Sequence, residues 1–251
     1  MPSKKVTFQG ALGEALAGRL DMPEGRTKAC ALFAHCFTCS KSLKVVGNIS
    51  KELVDKDFAV LRFDFTGLGQ SDGEFANTNF SSNVDDLVAA AEFMKSETGV
   101  PALLIGHSLG GAAVIQGAHR IPESKAVVTI GSPSNPRHVI EHFKGHMKTI
   151  EEQGQAEVVL AGRPFTIRKQ LVDDLNATKM DGYIRDLNRA LLVMHSPLDD
   201  TVGIDNAAHL YGMARHPKSF ISLDKADHLL RDDRHSRYAG AVIAAWADLY
   251  V

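Results

Sequence analysis

Nearly continuous apolar blocks recur along the chain at 5–8, 17–21, 29–34, 59–63, 102–106, 126–130, 190–195 and 219–223. Runs this short suit strands covered on both faces in a mainly parallel sheet. Between them the apolar period lengthens. Within 83–96, Val84, Leu87, Val88, Ala91 and Met94 share one helical stripe behind the capping candidates Ser81 and Ser82. Further helices are predicted over 41–56, 109–120, 204–215 and 235–249. From Ala29 onward strand and helix alternate, whereas no helix separates the first two strands. The expectation is therefore an α/β fold: an eight-stranded, mainly parallel sheet with helices on both faces, opened by an antiparallel hairpin. The alternation fails between Ser132 and Arg189, a stretch too long for a loop. Apolar runs at 157–160 and 165–167 around Ala161-Gly162-Arg163-Pro164 predict a small hairpin there. Residues 133–189 thus read as a cap of helices and a hairpin, inserted into one domain spanning 1–251.

Composition narrows the class of protein. Hydrophobic residues make up 44% of the 251 and charged residues 23%, enough apolar surface for a sizeable core. The net charge is -2 and no Lys/Arg run builds the positive stripe that nucleic-acid phosphates require, so no nucleic-acid partner is expected. The N-terminus lacks the uninterrupted apolar stretch of a secretory signal, and no later segment approaches a membrane span. A cytoplasmic protein without a membrane partner is the expectation. The three cysteines, Cys30, Cys36 and Cys39, cannot all pair with one another and are too few to staple a domain of this size.

Candidate chemistry starts at Gly106-His107-Ser108-Leu109-Gly110-Gly111, a G-x-S-x-G pattern between an apolar strand and a helix-like segment. A serine on such a turn is held in a strained conformation with its hydroxyl exposed, and small neighbours let strand and helix approach. The Leu109 amide, at the helix N-terminus, then points where an oxyanion forms. The competing reading is a glycine-rich turn that binds phosphate. A serine nucleophile also needs an imidazole base and a carboxylate to fix its tautomer, in this fold in the chain order Ser, Asp, His. Asp199 and Asp200 both follow the strand at 190–195, with Asp199 preferred. His228 follows the strand at 219–223 and is the expected base, with His235 as its competitor. The second oxyanion donor is expected from the loop after Ala34, at the amide of Phe37.

These residues resemble the α/β-hydrolase superfamily, and more narrowly the hydrolase module that many bacterial proteins carry fused to an OsmC-like peroxide-resistance domain. The resemblance rests on His35-Cys36-Phe37-Thr38-Cys39-Ser40-Lys41, on Arg62-Phe63-Asp64-Phe65-Thr66-Gly67-Leu68-Gly69 with the segment 75–82, and on Gly203-Ile204-Asp205-Asn206-Ala207-Ala208 with the His228 loop. It implies an α/β-hydrolase fold, the triad Ser108, Asp199 and His228, and an acyl-enzyme route; substrate it implies only loosely. The chain ends at Val251, directly after the last predicted helix, so no peroxide-reducing domain is expected within it. The commoner oxyanion pattern of the superfamily is His-Gly-Phe-Thr-Gly-Ser. Here cysteine stands at both glycine positions and creates a C-x-x-C motif.

That motif has two readings: a redox switch or thiol reactant beside the site, or, as the favoured account, two small apolar fillers where a strand meets packed loops. Two ligands alone make a poor zinc site. Histidines 138, 142 and 146 lie four apart on a predicted cap helix. Such spacing suits a metal, but no acidic cluster accompanies it and a solvated or pocket-lining face accounts for the pattern. Asp64 and residues 67–69 are expected to shape the loop beneath the nucleophile, and Trp246 to lie in the core. The function expected is carboxylesterase-type hydrolysis of short-chain, small-molecule esters, with no cofactor and no metal. The same triad also serves acyl transfer or hydrolysis of a thioester or peptide, and a redox-responsive binding or regulatory protein using Cys36 and Cys39 is the alternative from another class.

Overall fold

The computed structural model describes residues 2–251. The chain opens with strands β1 (Ser3–Gln9) and β2 (Ala15–Asp21), which pair antiparallel along their whole lengths, Ser3 opposite Asp21 and Gln9 opposite Ala15. There follow β3 (Ala29–Ala34), helix α1 (Lys44–Val54), β4 (Phe58–Phe63), α2 (Phe80–Glu97), β5 (Pro101–His107), α3 (Leu109–Ala118) and β6 (Ala126–Ile130). After an insertion come β9 (Ala190–His195), α7 (Asp205–Met213), β10 (Lys218–Ser222) and α8 (Asp233–Ala247). The sheet has eight strands in the order β1-β2-β4-β3-β5-β6-β9-β10. β2 meets β4 antiparallel, and every later pairing is parallel. This is the expected α/β-hydrolase architecture with its antiparallel opening.

The continuous apolar runs are explained by two cores. Side chains alternate across a strand, so β3 sends Cys30, Leu32 and Ala34 to one face and Ala31 and Phe33 to the other. α2 and α3 cover the first face; α1 and α8 pack together on the second, where Val46, Ile49, Leu53, Ile243 and Ala244 are buried. Trp246 lies against this second core and its indole N–H donates to Ser219 Oγ at 3.1 Å.

Three helix starts differ from the sequence reading. α1 begins at Lys44 rather than at 41, because the preceding residues form a closed turn and Lys41 turns inward to a buried carboxylate. α2 is capped by Asn79, not by Ser81 or Ser82: Asn79 accepts from the Ser82 amide at 2.8 Å and the Ser82 hydroxyl accepts from the Asn79 amide at 2.9 Å. α8 begins at Asp233, with Asp232 accepting from the Arg234 amide.

The insertion between β6 and β9 holds a 3₁₀ stretch (Pro136–His146), α4 (Met147–Gln153), a hairpin of β7 (Gln155–Leu160) and β8 (Arg163–Arg168), then α5 (Lys169–Ala177) and α6 (Met180–Arg185). Ala161 and Gly162 both take positive φ, 50° and 77°, as a two-residue turn between right-twisted strands demands. The histidines at 138, 142 and 146 sit on the 3₁₀ stretch, which kinks at Phe143 (φ −135°), so His146 lies beyond the break while the His138 and His142 rings meet edge-on with centroids 6.2 Å apart. His138 donates from Nε2 to the Thr201 carbonyl at 2.8 Å, and no metal-holding cluster occurs among the described residues.

Candidate active site

The site forms where β3, β5, β9 and β10 end, and each of its side chains follows one of these strands. β5 leads into α3 through Ser108 alone, whose backbone sits at φ 54°, ψ −125°. A residue with a Cβ is strained there, and the strain is the cost of turning a strand into a helix in one step with the hydroxyl facing outward. The turn closes only because Gly106 lacks a side chain: a Cβ there would lie 2.2 Å from the carbonyl oxygen of Gly110.

Across the turn, His228 Nε2 accepts from the Ser108 hydroxyl at 3.1 Å, and His228 Nδ1–H donates to Asp199 Oδ2 at 2.8 Å. Asp199 Oδ1 accepts from the amides of Thr201 (3.0 Å) and Val202 (2.8 Å). Burial pushes the Asp199 carboxyl up, but the bonds from His228 and these amides outweigh it and hold the carboxyl below the usual carboxylate range. The ionised carboxylate fixes the proton on His228 Nδ1 and leaves Nε2 bare toward the serine. The competing candidates stand apart. Asp200 is exposed and takes a 3.3 Å bond from the Thr201 hydroxyl, and His235 lies in the first turn of α8.

Two further histidines brace the loops that carry this pair, and sequence reasoning gave them no role. His107, the last residue of β5, donates from Nε2 to the His228 carbonyl at 2.8 Å. Burial, assisted by His228, pushes its imidazole down to about 4, so it remains neutral and keeps that tautomer. His195, the last residue of β9, donates to the Val202 carbonyl at 2.7 Å and ties down the loop that carries Asp199. Both are strand-final histidines buried beside a chemical loop, and that position is the only signal the sequence offered.

Gly131 was also missed. It follows β6 at φ 54°, and a Cβ would lie 3.1 Å from Asp199 Oδ2 and 3.4 Å from His228 Nδ1. Gly131→Ala is expected to cost about 1–2 kcal/mol of stability through the left-handed backbone. Shifting the acid by a few tenths of an ångström should also lower kcat/KM by roughly tenfold. Urea unfolding and ester kinetics together check this; wild-type values in both would show that the glycine is incidental.

Phe37 and Leu109, the expected oxyanion donors, flank Ser108 from two different segments. Leu109 is the first residue of α3, and neither amide donates to a protein acceptor among the described residues. The Phe37 ring packs edge-on against Phe75, which packs on Phe165 of β8, while the Arg163 guanidinium donates to the Thr38 carbonyl. The cap hairpin is thus joined to the loop after β3. From below, Asp64 accepts from the Lys41 amide at 2.6 Å, from Lys41 Nζ and from the Gln70 amide, and Arg62 donates to the Lys41 carbonyl at 2.9 Å.

The C-x-x-C motif corrects the sequence reading. Cys36 and Cys39 are not apolar fillers but a disulfide with Cα atoms 5.4 Å apart. The turn between them, closed by the Cys39 amide on the Cys36 carbonyl at 3.2 Å, brings the pair into bonding range. Cys30 remains a buried free thiol. Together Cys36, Phe37, Cys39, Ser108, Leu160 and His228 line much of a cavity of about 430 Å3.

A serine, an imidazole and a carboxylate in hydrogen-bonded series on this sheet define a member of the α/β-hydrolase superfamily. Residues 25–163 match the family described as serine aminopeptidase, S33, and the chain belongs to that family. The esterase domain of a Rhodothermus marinus protein is 49% identical over 100% of this chain and 99% of that one, with a TM-score of 0.80. Among curated proteins, a mitochondrial palmitoyl-protein thioesterase of Rattus norvegicus is 31% identical over 40% of this chain and 32% of its own length. The monoglyceride lipase of Homo sapiens is 30% identical over 48% and 40%. The matches span less than two thirds of the length of each of these curated relatives. No helix among the described residues is long and apolar enough to cross a membrane.

Proposed function

We propose that this chain is a carboxylesterase-type serine hydrolase that cleaves short-chain, small-molecule esters through an acyl-enzyme on Ser108. The observation that carries the reading is the unbroken series Ser108 Oγ to His228 Nε2 (3.1 Å) and His228 Nδ1 to Asp199 Oδ2 (2.8 Å). Ser108 attacks the acyl carbonyl while His228 takes its proton, and the amides of Phe37 and Leu109 hold the oxyanion. The imidazolium, steadied by Asp199, returns the proton to the leaving alkoxide. Water then enters, His228 acts as base a second time, and the acid is released. The cycle needs neither metal nor cofactor.

The esterase domain at 49% identity supports ester chemistry. A cavity of about 430 Å3, walled by Leu160 and Ala161 of the cap hairpin, supports a small acyl group. A p-nitrophenyl ester series from acetyl to palmitoyl tests both points. We expect kcat/KM to peak at short chains and to fall by roughly tenfold or more before palmitoyl. A fluorophosphonate should modify Ser108, as located by peptide mass spectrometry. Failure to cleave any ester, with no labelling at Ser108, would end the proposal. Adding a primary alcohol during turnover separates hydrolysis from acyl transfer through the products formed.

A further inference from the structure

We propose that the Cys36–Cys39 disulfide is a thiol–disulfide exchange site through which a dithiol reductant lowers the activity of the Ser108 site. This rests on the serine-hydrolase reading above. The argument begins with what the bond encloses. The turn it closes contains only Phe37, whose amide is the expected second oxyanion donor, and Thr38, whose φ is 60°. A β-branched residue in the left-handed region is strained and persists only where its surroundings over-determine it. Three restraints do so here: the disulfide, the Cys39 amide on the Cys36 carbonyl, and Arg163 on the Thr38 carbonyl.

The flanks of the turn are held independently. Upstream, β3 runs to Ala34 in the centre of the sheet, and downstream Lys41 is fixed by Asp64 and Arg62. Opening the disulfide therefore leaves the loop anchored at both ends. Only the strained middle, with the Phe37 amide, is free to relax, which makes the effect reversible rather than an unfolding.

Access is provided by the substrate cavity, since both cysteines line it beside Ser108. Cys36 is buried and Cys39 half-buried, so an incoming thiolate attacks Cys39 Sγ. The Sγ–Sγ bond breaks, the electron pair leaves on Cys36, and a mixed disulfide joins Cys39 to the reductant. The second thiol of the reductant then attacks its own sulfur of the mixed disulfide and expels Cys39. The reductant ends as a disulfide, and the protein gains two electrons and the two protons that the reductant loses.

Reduction is expected to lower kcat by about 10- to 100-fold, the scale of a displaced oxyanion donor, with a smaller change in KM. The test treats the protein with dithiothreitol, desalts it anaerobically, and assays it beside untreated and reoxidised samples, with thiols counted in a Cys30→Ala background. The Cys36→Ser/Cys39→Ser variant should be slow and indifferent to dithiothreitol, and fluorophosphonate labelling of Ser108 should persist in every sample at a reduced rate after reduction. A pair that resists dithiothreitol, or full reduction with kcat unchanged while Ser108 still labels, overturns this inference alone. Absence of both labelling and hydrolysis in the untreated protein overturns the serine reading and this inference with it.

Discussion

Ser108→Ala is expected to lower kcat for p-nitrophenyl acetate by about a millionfold, or roughly 8 kcal/mol at 1.36 kcal/mol per factor of ten. The substitution isolates the hydroxyl. Alanine keeps the Cβ, so the φ of 54° and its strain are retained, and only the bond to His228 Nε2 is lost. The folded protein should therefore be nearly unchanged, with melting temperature and circular dichroism close to wild type. What activity survives comes from the cavity and the oxyanion amides, which still hold a carbonyl but have no nucleophile to offer it. Its rate must be read above spontaneous ester hydrolysis. If the alanine variant folds and keeps more than a few per cent of wild-type kcat, the reacting atom lies elsewhere in the cavity. Thr38, His142, Asp200, Thr201 and Asp227 also carry nucleophilic atoms in its wall.

What was legible in the sequence was whatever depends on local pattern. Strands such as 59–63 and 126–130 are buried on both faces, and a continuous apolar run reports that directly. Ser108, Asp199 and His228 were legible for a related reason: each follows a run that ends in a loop on the same edge of a parallel sheet, so chain order alone brings them to one place. The cap hairpin was readable from Gly162 and the apolar runs around it.

Features set by tertiary neighbours were not legible. Gly131 matters because Asp199, 68 positions further on, packs against its Cα, and nothing near it in the chain records that. His107 acts through the His228 carbonyl on a distant loop, and His195 through the Val202 carbonyl across the loop that follows it. Asn79 displaced the serines as the cap because the reciprocal bond with Ser82 needs a helix start one residue after it. The disulfide escaped because the cysteine count was weighed as a staple for a whole domain, whereas the bond closes a single turn. In each case the missing information was a contact, not a propensity.

Asp199→Asn is expected to lower kcat by about 10,000-fold, or roughly 5 kcal/mol, whereas Asp200→Asn should stay within about fivefold of wild type. The two carboxylates are adjacent in sequence and differ in what they touch. Asparagine at 199 keeps the size of the side chain and an oxygen for the amides of Thr201 and Val202. With that oxygen spent, its NH2 faces His228 Nδ1, which must then accept rather than donate. The imidazole proton moves to Nε2 and points at Ser108, so the base is present but in the wrong tautomer. Asp200 is exposed and takes its bond from the Thr201 hydroxyl, so losing its charge alters little beyond the cavity rim. Steady-state kinetics of the two variants, with fluorophosphonate labelling rates, decide between the neighbours. A large loss in Asp200→Asn with a mild one in Asp199→Asn would reverse the assignment of the acid, and equal mild losses would mean that His228 needs no carboxylate partner.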